Sequence, residues 1–299
     1  MNDRWYDYFW TNPGAGTPPG LAFGLFTTAH LVFLAVMAIL ATVIVLVYRA
    51  ESGARRRAMR LTLGITVFAL EALREAGYFF SGHYTAAILP LHLCAIASLC
   101  VFVDSIRPNS WCRAYLYALG AWGPVCAMVF ADWSTQPWFN IYTWQGFLIH
   151  GCMWAYILAI LVSGEYRPSL RDLWKAVVIM VAAIGLSLLV NHYWNTNFWF
   201  LNTGSPGSPL EPIQKLAGPW YIPVLILLLG LIWTVLYLPW SRRKAGPTAP
   251  ALPAPQHGAQ TPDASGPPGE DNDSPSDRRS SPPPTRPGSE TASTWPESR

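Results

Sequence analysis

The chain has 299 residues, 52% of them hydrophobic and only 12% charged, with a mean hydropathy of +0.24 and a net charge of +3. A soluble domain carries roughly a quarter charged residues, so this sequence cannot coat a water-facing surface of its size. The small positive balance sits in short stretches between apolar runs and gives no nucleic-acid signature.

The apolar residues are unevenly spread. Residues 1–20 place Asp3, Arg4 and Asp7 among aromatic residues ahead of a Pro/Gly turn region. They contain no apolar core of a cleavable signal peptide and are expected as an outer N-terminal segment. Residues 21–240 are apolar with few charges. A helix needs about 20 mostly apolar residues to cross a hydrocarbon core, and seven stretches qualify: 25–48, 61–80, 84–103, 114–131, 145–164, 174–194 and 220–240. In lipid, backbone polar groups must be satisfied within their own segment, so each stretch reads as a helix. The short alternating segments of a β-barrel are absent. The expected fold is all-α, a polytopic seven-transmembrane-helix bundle over 21–240.

Loop charge sets the expected orientation. Thirteen Lys and Arg residues, among them Arg55, Arg107, Arg171 and Arg243, fall on one side of this alternation, and only Arg4 and Lys215 on the other. The N-terminus is therefore expected outside and the C-terminus in the cytoplasm of a multi-pass cell-membrane protein. Residues 241–299 hold 13 of the 27 prolines and no apolar run. They cannot bury enough apolar surface to offset their ordering entropy and are expected as a disordered cytoplasmic tail. The five cysteines are odd in number and none falls in an expected outer loop, which argues against a disulfide framework. No P-loop, dinucleotide fingerprint or zinc-ligand spacing is present, so no cofactor or metal is expected.

Polar groups inside the apolar region narrow the function. Glu71, Arg74 and Glu75 share one face of the second helix, where Arg74 can pair with both carboxylates. Such a group is either a neutralised structural pair or part of a site. His30, His92, His150 and His192 all lie in or at the ends of expected helices. At about 1.5 Å per residue, His30, Glu75 and His150 fall roughly 8 Å below the outer surface, with Asn191 and His192 close to it. A single buried histidine is usually a hydrogen-bonded core residue. Convergence of several at one depth points to a polar cavity in the outer half of the membrane.

Cys94 joins that layer if the third helix starts late. Pro90 either begins the helix or kinks it. In the first case Cys94 lies near a helix N-terminus, where the dipole favours its thiolate. In the second it lies deeper, below the histidines. His92 is two residues away, about 200° around a helix, and points elsewhere. A base must come from another helix, and His150 is the leading candidate.

Leu89-Pro90-Leu91-His92-Leu93-Cys94 resembles the LPLHLC signature of the bacterial YwaF-like membrane proteins. His150-Gly151 resembles their HG element, Asn195 to Leu201 their NY-x-FL stretch, and Gly218 to Ile222 the WYI entry to their last helix. These proteins are similar to the eukaryotic transmembrane protein 164 family, described as a phospholipid acyltransferase with a membrane-embedded cysteine. The resemblance implies that Cys94 is the acyl-accepting nucleophile, His150 its base and Asn197 part of the outer cap. The eukaryotic motif has histidine directly after the cysteine, whereas here Ala95 follows and His92 precedes.

The expected function is acyl transfer, or acyl hydrolysis, on glycerophospholipids through an acyl-cysteine. His92, Asn191, His192, Asn197, Glu75 and His30 are expected to line the substrate site, and membrane phospholipids are the expected partners. The alternative is a transporter or receptor that uses the His/Glu cavity without covalent chemistry. A retinal protein is excluded by the lack of a lysine in the last helix. A zinc site of His30, His150 and His192 lacks any local ligand spacing.

Overall fold

A computed structural model describes residues 5–11, 16–18 and 20–241. The tail expected over 241–299 lies, apart from Ser241, outside the described residues, as does much of the segment 1–20. Among the described residues the chain is all-helical, with a lone antiparallel bridge between Ala22 and Pro137. The main helices are α1 (Thr28–Ala50), α2 (Gly53–Phe80), α3 (Leu93–Ile106), α4 (Ser110–Tyr115), α5 (Gly123–Val129), α6 (Ile141–Val162), α7 (Leu173–Trp194), α8 (Leu210–Ala217) and α9 (Tyr221–Ser241).

Five helical stretches are long and apolar enough to cross a bilayer: Thr28–Ala50, Ser110–Thr135, Ile141–Val162, Leu170–Trp194 and Leu210–Ser241. Their outward faces carry Val36, Ile39, Val43, Val181, Leu189, Leu227 and Leu231, all exposed. Exposed branched aliphatics in such rows have lipid, not water, as their solvent. The chain is a multi-pass membrane protein. α2 carries Glu71, Arg74 and Glu75 within its apolar part, and α3 has 14 residues, so neither meets that length-and-charge measure.

α6 is the centre of the bundle. Fourteen of its 22 residues are buried, and α1, α2, α3 and α5 pack around it. α1 runs parallel to α6: Phe33 stacks on Phe147 at 4.5 Å, and Tyr48 reaches Glu165 just beyond the α6 C-terminus at 2.7 Å. α2 runs antiparallel, since Gln145 donates to the Leu70 carbonyl at the start of α6 while Arg60 meets Glu165 at its end. α3 runs parallel again, with Ser98 against Met153 and Asp104 against Tyr156. Close approach is bought by small residues. A Cβ on Gly151 would lie 2.8 Å from the Met37 sulfur, and one on Gly146 2.8 Å from the Trp133 ring.

Three expected helices differ from the structure. The second, expected over 61–80, starts at Gly53, so Arg55, Arg56, Arg57 and Arg60 are helical. The third, expected over 84–103, is a 3-10 turn (Ala86–Ile88), an extended link and then α3. Pro90 disfavours helical geometry at the residue before it, and Leu89 is extended at φ −45°, ψ 140°. The fourth, expected over 114–131, is broken. α4 passes through a π-helical turn (Leu116–Gly120) into α5, which restarts at Gly123-Pro124 because proline lacks the N–H that an uninterrupted helix needs. The amphipathic α8 belongs to none of the seven apolar stretches.

At the end bearing the α1–α2 turn, basic residues counted for topology do more than mark a side. Asp104 is fully buried and accepts from Asn109 N (2.7 Å), Arg113 Nε (2.8 Å) and the Tyr156 hydroxyl (2.8 Å). Glu165 accepts from Tyr48 and from Arg60 (3.0 Å), and its carbonyl accepts from Arg113 (2.7 Å). This network ties α1, α2, α3, α4 and the α6–α7 link together.

Candidate functional site

Cys94 is half-buried at the second position of α3. α3 starts at Leu93, three residues after Pro90, which lies in the turn before the helix and neither begins nor kinks it; Cys94 nevertheless sits in the first turn. The helix-capping residue is His92, whose side chain makes no capping bond. Among the described residues nothing accepts from the N–H groups of Leu93, Cys94 or Ala95; the first backbone bond of the turn is Ile96 N to His92 O, at 3.2 Å. The entry to α3 is itself pinned, because the Leu91 carbonyl accepts from Trp199 Nε1 at 2.8 Å and from Ser187 at 3.5 Å.

His150 is 9% exposed on α6. Its Nδ1 lies 2.6 Å from the Gly146 carbonyl one turn earlier. A carbonyl only accepts, so Nδ1 carries the proton and Nε2 is left as a lone-pair acceptor. Nothing among the described residues donates to Nε2. The Trp133 indole lies nearly parallel to the imidazole, with ring centres 5.4 Å apart and 19° between planes. Trp133 fits there because Gly146 has no side chain. Its segment is held by Phe23 N to Gln136 O (2.9 Å) and Gly24 N to Ser134 O (3.0 Å).

The α3–α6 register relates the two residues. Ser98 Oγ lies 3.4 Å from the Met153 sulfur. Cys94 is four residues before Ser98 and His150 three before Met153, so each lies one turn further along the same faces of two parallel helices. Arg74 bonds Glu71 (2.8 Å) and Glu75 (2.7 Å), as the spacing on α2 suggested, and also reaches the Ile88 carbonyl. Glu75 further accepts from Tyr84 at 2.7 Å. Burial and that hydrogen bond raise the Tyr84 phenol to about 12, so it stays a donor at neutral pH.

The other expected site residues divide. His92 lines a cavity of about 200 Å³ with Ala87, Thr196, Asn197, Phe198 and Phe200, and its ring packs 4.6 Å from Phe198. His30 does not join a shared polar layer. It is fully buried beside Phe23 and Phe147, its Nδ1 accepts from Phe26 N (2.8 Å), and its Nε2 donates to the Met128 carbonyl (2.8 Å). Both ring nitrogens are used within the fold. His192 is exposed and faces away from its neighbour Asn191. Asn191 is buried and clamps the following loop: its oxygen accepts from Thr196 and Phe198 N (both 2.8 Å), and its amide donates to Phe198 O. Asn197 closes the same loop through Thr203 and Asn202. This loop needs such fixing because Asn195, Trp199 and Phe200 all adopt left-handed φ. The side-chain amides of Asn191 and Asn197, expected at the substrate site, are engaged within this loop, and His192 is exposed. Among the described residues no three His, Cys, Asp or Glu side chains lie together in metal-ligand geometry.

Sequence reasoning missed Trp133. Its only signal was an aromatic residue in a Ser/Thr/Pro-rich stretch between two apolar runs. No curated protein and no solved structure matches the chain. The model of the TMEM164 family matches residues 25–237, a stretch that contains α1 to α8, nearly all of α9, and both Cys94 and His150. By that match over most of its length, the chain belongs to the TMEM164 family.

Proposed function

We propose that this protein is an integral-membrane acyltransferase that moves a fatty acyl chain from a glycerophospholipid through an acyl-Cys94 intermediate. The observation that carries the reading is the parallel α3–α6 register. It supports a first-turn thiol and a buried imidazole, with Nε2 free, on facing turns. His150 Nε2 takes the thiol proton as the sulfur attacks the ester carbonyl. The tetrahedral intermediate collapses, the ester C–O bond breaks, and the proton passes from His150 to the departing lysophospholipid hydroxyl. The thioester then passes its acyl group to another lysolipid, or to water, with His150 again taking the incoming hydroxyl proton. Cys94 and His150 are the catalytic residues in this reading. His92 and Asn197, on the cavity beside the start of α3, would contact the lipid.

In the same reading α2 and α3 complete seven crossings, with the N-terminus outside and the Arg-rich end in the cytoplasm of the cell membrane. The Glu71–Arg74–Glu75 group supports membrane embedding of α2, because it keeps its charges paired. The test is reconstitution of the full chain in liposomes with a phospholipid bearing a labelled acyl chain. The wild type should form a hydroxylamine-sensitive label and release lysophospholipid; Cys94→Ala should do neither. Undiminished turnover by Cys94→Ala would remove the covalent scheme and favour a non-covalent transporter.

A further inference from the structure

α3 and α4 form a helical hairpin whose turn is Arg107-Pro108-Asn109. Asp104 and Asn109 close it. Asn109 N donates to the Asp104 carboxylate at 2.7 Å, and the Asn109 side chain in turn accepts from Cys112 N at 3.2 Å. Arg113 Nε, one residue further on, returns to Asp104 at 2.8 Å. From Asp104 and Asn109, one turn outward on each helix reaches Cys100 on α3 and the Cys112-Arg113 pair on α4. Two cysteines thus stand opposite one another across the hairpin.

Their side chains meet. The Cys100 and Cys112 thiols share a hydrogen bond, and both residues are buried in one apolar core with Val101 and Tyr115. Cys94, Cys126 and Cys152 make no thiol–thiol hydrogen bond among the described residues. The hairpin therefore holds two sulfurs in contact before any reaction, and a disulfide needs only that this contact shorten to about 2.05 Å. Burial selects the oxidant. A bulky disulfide cannot reach sulfurs packed between two helices, whereas hydrogen peroxide is small and uncharged.

We propose that Cys100 and Cys112 are a redox-active dithiol, which hydrogen peroxide oxidises to a disulfide that ties α3 to α4. One sulfur of the pair attacks a peroxide oxygen. The O–O bond breaks, and the departing hydroxide takes that thiol's proton and leaves as water, so the sulfur becomes a sulfenic acid. The second sulfur attacks the first. The S–O bond breaks, and the departing hydroxide takes the second thiol's proton as another water. In sum the two thiols lose two electrons and two protons, and the peroxide is reduced to two waters. A dithiol reductant reverses the change by exchange. Both cysteines are free thiols in this structure, so the pair is a reversible site and not a disulfide framework. The bond spans the turn that carries Asp104 and Arg113, and it adds a covalent tie where α3, α4 and the α6–α7 link meet. It does not involve Cys94 and stands apart from the acyl-transfer reading.

The experiment treats the reduced full chain in liposomes with hydrogen peroxide, then removes the oxidant, unfolds the chain with an alkylating reagent and maps the thiols by mass spectrometry. Cys126 is exposed and outside the pair, so its oxidation shows that peroxide has reached the bilayer region. At a dose that oxidises Cys126, the expected result is the loss of Cys100 and Cys112 from alkylation in equal proportion. One cross-linked peptide pair should carry both residues at a mass two hydrogens below the thiols, and dithiothreitol should restore them. In Cys112→Ser the same dose should leave Cys100 alkylatable, because it is buried and has lost its partner. Cys100 and Cys112 still alkylatable after Cys126 is oxidised would overturn the proposal. So would a cross-link from either residue to a different cysteine, or loss of Cys100 in Cys112→Ser, since both show oxidation that does not run through the hairpin pair.

Discussion

Asp104→Ala is the substitution with the largest expected effect on stability. The carboxylate is fully buried and takes three hydrogen bonds, from Asn109 N, Arg113 Nε and the Tyr156 hydroxyl. Its removal strands Arg113, a cation only 9% exposed whose remaining partners are the Glu165 carbonyl at 2.7 Å and the Glu165 carboxylate at 3.7 Å. Breaking a buried pair by deleting one member costs about 3–5 kcal/mol, mostly because the other charge stays behind. The double variant Asp104→Leu with Arg113→Met removes both charges and fills the volume. It should lose less than Asp104→Ala alone, by about 1–3 kcal/mol, since well-packed apolar replacement of an ion pair is often close to neutral. The assay is equilibrium unfolding of the purified chain in lipid bicelles, read by steric trapping. A single variant within about 1 kcal/mol of wild type, below the range for a stranded buried charge, would refute the argument. So would a double variant less stable than the single.

Three further predictions use other parts of the bundle. Gly146→Ala must push the Trp133 ring off His150, since the new Cβ would stand 2.8 Å from it. It should cost about 1–3 kcal/mol by overpacking and slow Cys94 acylation, whereas Gly185→Ala, with nothing within 4 Å, should leave both stability and acylation at or above wild type. His30→Phe should lower stability by about 1–3 kcal/mol, because it orphans the Phe26 N–H and the Met128 carbonyl; unchanged stability would return His30 to the list of site candidates. Asn191→Leu should raise hydrogen exchange across residues 195–203 without altering iodoacetamide labelling of Cys94, since its bonds hold only that loop.

Composition and period carried the architecture a long way. Apolar runs near the thickness of a bilayer, with so few charges, leave helices in lipid as the only arrangement that satisfies the backbone. The pairing of Arg74 with Glu71 and Glu75 was also legible, because residues three and four apart share a helix face.

Which histidine keeps a ring nitrogen without a partner depended on contacts between segments distant in the chain. His30 and His150 look alike in sequence, each in an apolar run. Only the packed bundle gives both nitrogens of His30 a partner and leaves Nε2 of His150 without one. Arg113 and Arg60 read as topology markers until Asp104 and Glu165 are brought to them from residues at least nine positions away. Periodicity fixes which side of a helix a residue occupies. It says nothing about which other helix faces that side, and a free lone pair or an uncapped N–H is defined by that neighbour. The membrane bundle was therefore a property of the sequence, and the partner of each buried polar group a property of the fold.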